Sequence, residues 1–363
     1  MRVDLAAADR RALVSATVLT DAVATILEAC DVLAGDARLA ADCLVEADLR
    51  GVESHGVSNL LAVYVQGIRD RHINPRPDVR VVRERPGSAT LDGDGGLGGV
   101  VAVGAMDLAI DKAREVGVGV VVVNNSRHLG MAAYHAMRAL DHGMIGVCST
   151  ACGPRVLPTF GAEPRLGTNP IAVAAPAGRR DAFVFDAATT TVAMNKIRLA
   201  QRDGTTLPGG VIADARGIPI MTPTEVPDGF QMLHLGATYD LGSHKGYGLA
   251  AAVDILGTVL SGSRLLGEVG TGFNNHTLIA MDIEAFTDLA GFEASMDRYL
   301  DWLNECAPAP GEERVLYAGQ PEAEIRTVRS VEGIPVRLEV LDELEALGRE
   351  VGAEVELTMS AGA

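Results

Sequence analysis

Apolar residues recur three and four apart through SATVLTDAVATILEACDV and DARLAADCLVEADLR, the repeat of one helix face, so the chain up to about Arg71 is expected to be helical. Beyond Arg80 the pattern changes. The β-branched runs VGVGVVVVNN, GMIGVCST, NPIAVAAP and DAFVFDAAT alternate with glycine and proline turns and short helices as far as about Thr277, the pattern of a sheet with covering helices. The stretch LAAAVDILGTVL, from Leu249 to Leu260, carries no charge except Asp254 and reads as one helix buried against another helix or a subunit. Near the end, two helices are expected on either side of a strand-like RTVRSVEGIPVRLE, and APAPGEER reads as a flexible turn. Three parts follow: a helical N-terminal domain over 1–78, an α/β domain over 79–248, and a helical part over 249–363 that packs back on the first.

Composition narrows the function. With 363 residues and 48% hydrophobic content the chain buries an ample core. A net charge of −17 without any Lys/Arg cluster argues against nucleic acid and anionic membrane as partners and favours a small molecule. Charges through MRVDLAAADRRALVSATVLTD leave no apolar run for a signal peptide, and no 18 uncharged apolar residues follow one another, so a cytoplasmic protein is expected. The five cysteines, Cys30, Cys43, Cys148, Cys152 and Cys306, lack the paired spacing of a zinc site and read as buried, reduced thiols.

Gly93, Gly95 and Gly98 stand at the G-x-G-x-x-G spacing that cradles a dinucleotide pyrophosphate. Two features oppose that reading. The following strand ends in Asn124 and Asn125 instead of an acid for the ribose, and Asp92 and Asp94 inside the turn would repel phosphate. A tight turn capping a strand is the expectation.

His128, His135 and His142 are spaced by seven on a predicted helix HLGMAAYHAMRALDHG. Seven helical residues rise about 10 Å, too far for one shared ion, so no metal site is expected. His142 reads as a helix C-terminal residue and His135 as surface or core. His128, at the start of that helix, is suited to polarise an oxygen or bind phosphate. Ser54 can orient the ring of His55, whose ordinary pKa near neutrality suits proton transfer. His244-Lys245-Gly246 joins a donor, a cation and a glycine at a helix start, a set suited to an anion or cofactor-phosphate contact.

Taken in order, RGVESHGVSNLLAVY, INPRP, DGDGGLG, NNSRHLG, GMIGV, LGTNPIAVAAP, FDAATTTVAMNKI and HKGYGLA resemble the malate/L-lactate dehydrogenase family, over roughly residues 10 to 335. The resemblance implies an α+β fold of non-Rossmann type: a mostly antiparallel, mixed sheet forming an NAD(P)-binding domain, beside a helical domain. It also implies a homodimer whose active site is shared between two subunits, and NAD or NADP as cofactor. Carried over by residue, it implies Ser54, His55 and His128 as catalytic residues, with His55 giving the proton in ketone or imine reduction. The implied cofactor contacts are His128, Thr168, Asp186, Ala187, Ala188, Thr189, His244 and Lys245, with Gly319 and Gln320 from LYAGQPE.

Two departures bear on chemistry. Lys196 stands where one branch of the family has an aspartate that completes a Ser-His-Asp relay. Asn59 replaces the arginine of SHG-x-x-R, and a neutral amide cannot clamp a carboxylate as a guanidinium does. The expected substrate contacts are Arg50, Asn59, Tyr64, Thr168 and Lys196, with Arg127 a further cation for the acid group. The leading expectation is hydride transfer between nicotinamide and a small 2-hydroxy/2-oxo acid. Reduction of a cyclic ketimine-2-carboxylate and a non-catalytic nucleotide-binding role are the alternatives.

Overall fold

The computed structural model describes residues 11–270 and 272–357; the start of the charged N-terminal stretch, residues 1–10, lies outside them. The described residues divide into two compact units, one running to Pro77 and resuming at Gln320, the other spanning Asp78–Gly319.

In chain order, the first unit opens with β1 (Arg11–Val14), α1 (Ala16–Ala29), α2 (Ala34–Leu49) and α3 (Val57–Arg69). Ser15 caps α1 by accepting the Val18 N–H. The apolar stripe expected from the sequence, Leu19, Val23, Ile26 and Leu27, is buried against α2, which turns inward its small residues Ala37, Ala40 and Ala41 with Leu44.

The second unit comprises β2 (Arg80–Arg85), β3 (Ser88–Asp92), α4 (Gly98–Val116), β4 (Val118–Ser126), α5 (Ala132–Met137), β5 (Met144–Cys152), β6 (Ile171–Ala175), β7 (Phe183–Ala187) and α6 (Met194–Asp203). Then come the short pair β8 (Ile212–Ala213) and β9 (Gln231–Met232), α7 (Ser243–Asp254), α8 (Leu266–Val269), β10 (Asn274–Asp282) and α9 (Leu289–Asn304). Seven of the strands form one sheet in the order β2-β3-β4-β10-β5-β6-β7. Among the described residues only β3 and β4, joined through α4, pair in parallel within it. The sheet is thus mixed and mostly antiparallel, the α+β architecture the resemblance implies.

The chain returns to the first unit with α10 (Gln320–Glu332), β11 (Ile334–Arg337) and α11 (Leu338–Val351), and β11 pairs antiparallel with β1. This return begins at Gln320, whereas the pattern of helices placed it at 249. The reason is β10: it is inserted between β4 and β5, so the chain on either side of it stays with the sheet.

Three local expectations change. RTVRSVE is the second half of α10, and only IPVR is strand. The helix expected over HLGMAAYHAMRALDHG is shorter and interrupted: α5 covers Ala132–Met137 and a 3-10 turn covers Leu140–His142, bounded by Gly130 and Gly143 at left-handed φ of 80° and 67°. LAAAVDILGTVL leaves α-helical geometry after Asp254 and passes through a π turn at Ile255–Val259, with Leu249, Ile255, Leu256, Val259 and Leu260 exposed. Of the five free thiols, Cys43 and Cys148 are buried, Cys30 and Cys152 partly so, and Cys306 is exposed. No helix is long and apolar enough to cross a membrane among the described residues.

Candidate active site

In the first unit, Ser54 and His55 lie on a single 3-10 turn, Glu53–His55, wedged between α2 and α3. Ser54 Oγ stands 2.9 Å from His55 Nδ1, so the serine holds one face of the ring's hydrogen bonding. Burial lowers the pKa of His55 from its ordinary value, since a charged imidazole is poorly solvated there. The turn is clamped from behind by Asp48, a buried carboxylate of α2 absent from the sequence-based candidates. Asp48 Oδ2 accepts the Val57 N–H at 2.9 Å, at the first turn of α3, and Arg329 of α10 donates to both the Asp48 carbonyl and Glu53. Burial raises the Asp48 pKa to about 7; the Val57 N–H and the Arg329 charge oppose that shift and the Glu53 charge adds to it.

The other first-unit candidates are placed differently from one another. Arg50 is tied to Glu46 at 2.7 Å, and Arg326 is tied to the same carboxylate oxygen at 2.8 Å, so the Arg50 guanidinium is held within an ion-pair cluster. Asn59 is exposed, and its amide donates to the Glu53 carbonyl at 2.8 Å and to Ser58 Oγ at 3.2 Å. Tyr64 turns with Leu61 and Val65 into the core, because its side of the α3 repeat faces inward. Gln320 starts α10, its amide on Glu324 at 3.0 Å.

In the second unit, His128 lies in the loop between β4 and α5, ahead of the helix and not at its start. The Gly130 N–H donates to His128 Nδ1 at 3.1 Å, leaving the proton of a neutral ring on Nε2. The glycine motif packs against this loop. The N–H groups of Gly93 and Gly95 are donated to the carbonyls of Asn124 and Asn125, at 2.9 and 2.8 Å, and so do not point at a phosphate. Asp92 accepts from Asn125 Nδ2 at 2.8 Å. A Cβ on Gly98 would lie 1.9 Å from the Arg127 carbonyl oxygen, so the first turn of α4 rests directly on the Arg127–His128 peptide. The Arg127 guanidinium stacks 4.2 Å over the Phe273 ring and donates to the Ser126 carbonyl at 2.9 Å.

Behind His128, the fully buried His276 bridges two strands: Nε2 to Ser126 Oγ at 2.9 Å and Nδ1 to Thr150 Oγ1 at 2.8 Å. Its pKa falls to about 3, first through burial and then through the neighbouring His135 and His128. His135 is also fully buried, with Nε2 on the Leu129 carbonyl at 2.9 Å, whereas His142 is exposed and accepts from Arg114 at 2.7 Å.

The remaining cofactor-motif residues lie in the second unit. Asp186 is exposed at the end of β7, and its carboxylate accepts the Ala133 N–H at 2.7 Å, tying that strand to the first turn of α5. Ala187 and Ala188 are half-buried. Thr189 is buried and spends both its N–H and its hydroxyl on the Thr168 carbonyl, each at 2.9 Å. Asn169, beside Thr168, is fully buried and links Cys152 of β5 to Ala250 and Asp254 of α7. His244 and Lys245 are exposed in the first turn of α7, and Lys196 is exposed on α6. Gly319 has φ 90° and sits against Val184, with no room for a Cβ. Sequence reasoning missed Asp48, His234, Asn169 and His276: what each does depends on a hydrogen-bond partner that only folding supplies.

Comparison with known proteins places this arrangement. Residues 14–345 match the family described as malate/L-lactate dehydrogenase. A malate dehydrogenase of Pyrococcus abyssi is 42% identical over 325 residues, 88% of this chain and 89% of that protein. An L-sulfolactate dehydrogenase of Methanocaldococcus jannaschii is 35% identical, over 88% of this chain and 92% of the other. The solved malate dehydrogenase of Pyrococcus horikoshii superposes with a TM-score of 0.88 at 36% identity, covering 98% of this chain and all of that one.

Proposed function

The chain belongs to the malate/L-lactate dehydrogenase family and is an oxidoreductase, and on that premise we propose that it transfers a hydride between NAD or NADP and a small 2-hydroxy/2-oxo acid of the malate, lactate or sulfolactate kind. The family implies a nicotinamide cofactor. The residues present suit one: exposed His244 and Lys245 stand in the first turn of a twelve-residue helix, where a cation and the helix dipole both favour a pyrophosphate. Close by in the fold, Asp186 to Ala188 offer an accessible backbone strip at the end of β7. When bound, the nicotinamide ring supplies the hydride for reduction and takes it in oxidation.

The observation that carries the reading is the Ser54–His55 pair. The serine on Nδ1 fixes the ring's orientation, and Nε2 is the nitrogen that exchanges a proton with the substrate oxygen. Because burial disfavours the charged ring, His55 is poised to accept the alcohol proton and, once protonated, is a strong donor to the ketone. His128 is the second imidazole of the reading, offering Nε2–H to polarise the substrate or hold the carboxamide of the cofactor. With Arg50 engaged by Glu46, Arg127 is the cation assigned to the substrate carboxylate: its guanidinium plane is held by Phe273 beside His128.

The reading includes a cytoplasmic homodimer. The exposed apolar row Leu249, Ile255, Leu256, Val259 and Leu260 is the surface assigned to a second copy, and sedimentation of the purified protein checks it. The activity is tested with a panel of 2-oxo acids and cyclic ketimines, each with NADH and NADPH, followed at the nicotinamide absorbance. Turnover of 2-oxo acids, reduced about 10²–10⁴-fold in His55→Ala with coenzyme binding intact, is the expected result. Undiminished turnover in that variant sinks the assignment.

A further inference from the structure

Between β9 and α7 the chain reads Leu233-His234-Leu235-Gly236, a segment that belongs to none of the motifs above. Its backbone runs alongside residues 189–191. The Leu235 N–H donates to the Thr189 carbonyl at 3.0 Å, the Thr191 N–H donates to the Leu233 carbonyl at 3.1 Å, and Thr191 Oγ1 donates to the His234 carbonyl at 3.1 Å. On its other side the segment is pressed against α7. A Cβ on Gly246 would lie 2.5 Å from the Leu235 oxygen, and one on Gly236 would lie 2.5 Å from the Gly242 carbonyl carbon.

The His234 side chain adds one polar contact to this seam. Nδ1 lies 3.2 Å from the Thr189 carbonyl and, facing an acceptor, must carry the proton. The Thr189 carbonyl therefore receives two donors, while Thr189 itself donates twice to Thr168. The ring is 2% exposed, lies 6.1 Å from the Tyr247 ring, and its Nε2 has no hydrogen-bond partner among the described residues. Leaving an acceptor buried and unmatched is unfavourable, and a leucine would fill the space without that cost. The ring's distinguishing contribution is thus its Nδ1–H.

We propose that His234 is a positioning residue for the coenzyme, fastening the Asp186–Thr189 strip to the His244–Lys245 end of α7 through its Nδ1–H bond to the Thr189 carbonyl. The proposal rests on the nicotinamide reading above. Asp186, Ala187 and Ala188 precede the fastened carbonyl and are accessible, as are His244 and Lys245 on the far side of the seam, so the bond sets the spacing of two ligand-facing edges that are 55 residues or more apart in the chain.

The test compares three variants of the full chain. His234→Asn keeps an amide donor near the Nδ1 position, His234→Gln moves it toward Nε2, and His234→Leu removes it. Coenzyme Kd is measured by fluorescence titration with NADH and NADPH, alongside KM, kcat and Tm. The expected result is a rise in coenzyme Kd and KM of roughly 3–10-fold in Leu and Gln, the worth of one neutral hydrogen bond, with kcat changed far less and affinity largely restored in Asn. Should Leu fail to fold, the Asn–Gln pair alone gives the same contrast. Wild-type affinity in Leu or Gln, or equal impairment in Asn and Gln, overturns the positioning role while leaving the nicotinamide reading in place. A wild-type protein that binds neither coenzyme overturns that reading and the proposal with it.

Discussion

The carboxylate of Asp48 fills the space in front of Gly56: a Cβ built on Gly56 would lie 1.8 Å from Asp48 Oδ1. The glycine that follows His55 is therefore required by a residue eight positions earlier, on a different helix, whose other oxygen holds the Val57 N–H. The Glu53–His55 turn and the buried acid form one unit.

Gly56→Ala is expected to push the Asp48 carboxylate off Val57, destabilise the protein by about 1–3 kcal/mol as overpacking does, and lower turnover by moving His55. Asp48→Asn keeps an oxygen for the Val57 N–H but cannot ionise. The folded-state pKa of Asp48, about 7, is above the unfolded value near 3.8, so the wild-type protein loses this group's contribution as pH rises from roughly 4 to 7. Tm measured across that range should move in the variant's favour with rising pH. A pH-independent difference would refute the linkage.

The lowered pKa of His55 sets the direction of the rate profile. Hydroxy-acid oxidation needs the neutral ring, so the acid limb of its kcat/KM should have its midpoint below the ordinary imidazole value of about 6.5; 2-oxo acid reduction, which needs the charged ring, should weaken as pH rises through the same limb. An acid limb for oxidation lying clearly above 6.5 would remove His55 from the role.

Gly98 supports the His128 loop, and alanine there meets backbone, not a flexible side chain. Gly98→Ala should cost about 1–3 kcal/mol or more and reduce turnover through displacement of His128. Gly104, on the same helix with open space around it, is the control: Gly104→Ala should be neutral or stabilising. Chemical denaturation of both variants checks the contrast.

His276 and His135, with pKa values of about 3 and about 4, are neutral when folded and take up protons on unfolding below about pH 6.5. Their contribution to stability is complete above that pH and is lost progressively as pH falls toward the folded values. His276→Asn breaks the Ser126–Thr150 bridge and so is less stable at pH 7.5, but it carries no such titration. Its deficit relative to wild type should shrink as pH is lowered to 4.5, and a constant deficit would contradict the account.

The sequence by itself determined what short-range physics can encode. The three- and four-residue repeat of α1 and α2, the β-branched runs of β4 to β7 and the turn glycines follow from backbone geometry within a few residues, and each is where the pattern put it. The chemistry-bearing motifs were equally legible, because SHG, LGTNP, D-x-A-T and HKG are contiguous. Tertiary structure alone decided how the strands pair. β10 enters the sheet between β4 and β5, and β11 closes on β1 more than 300 residues away; such pairings leave no local mark, since a strand's neighbour is chosen by burial and unsatisfied backbone groups. For the same reason Asp48 and His234 were invisible as single polar residues: what makes each matter is the one carbonyl or N–H that folding brings against it.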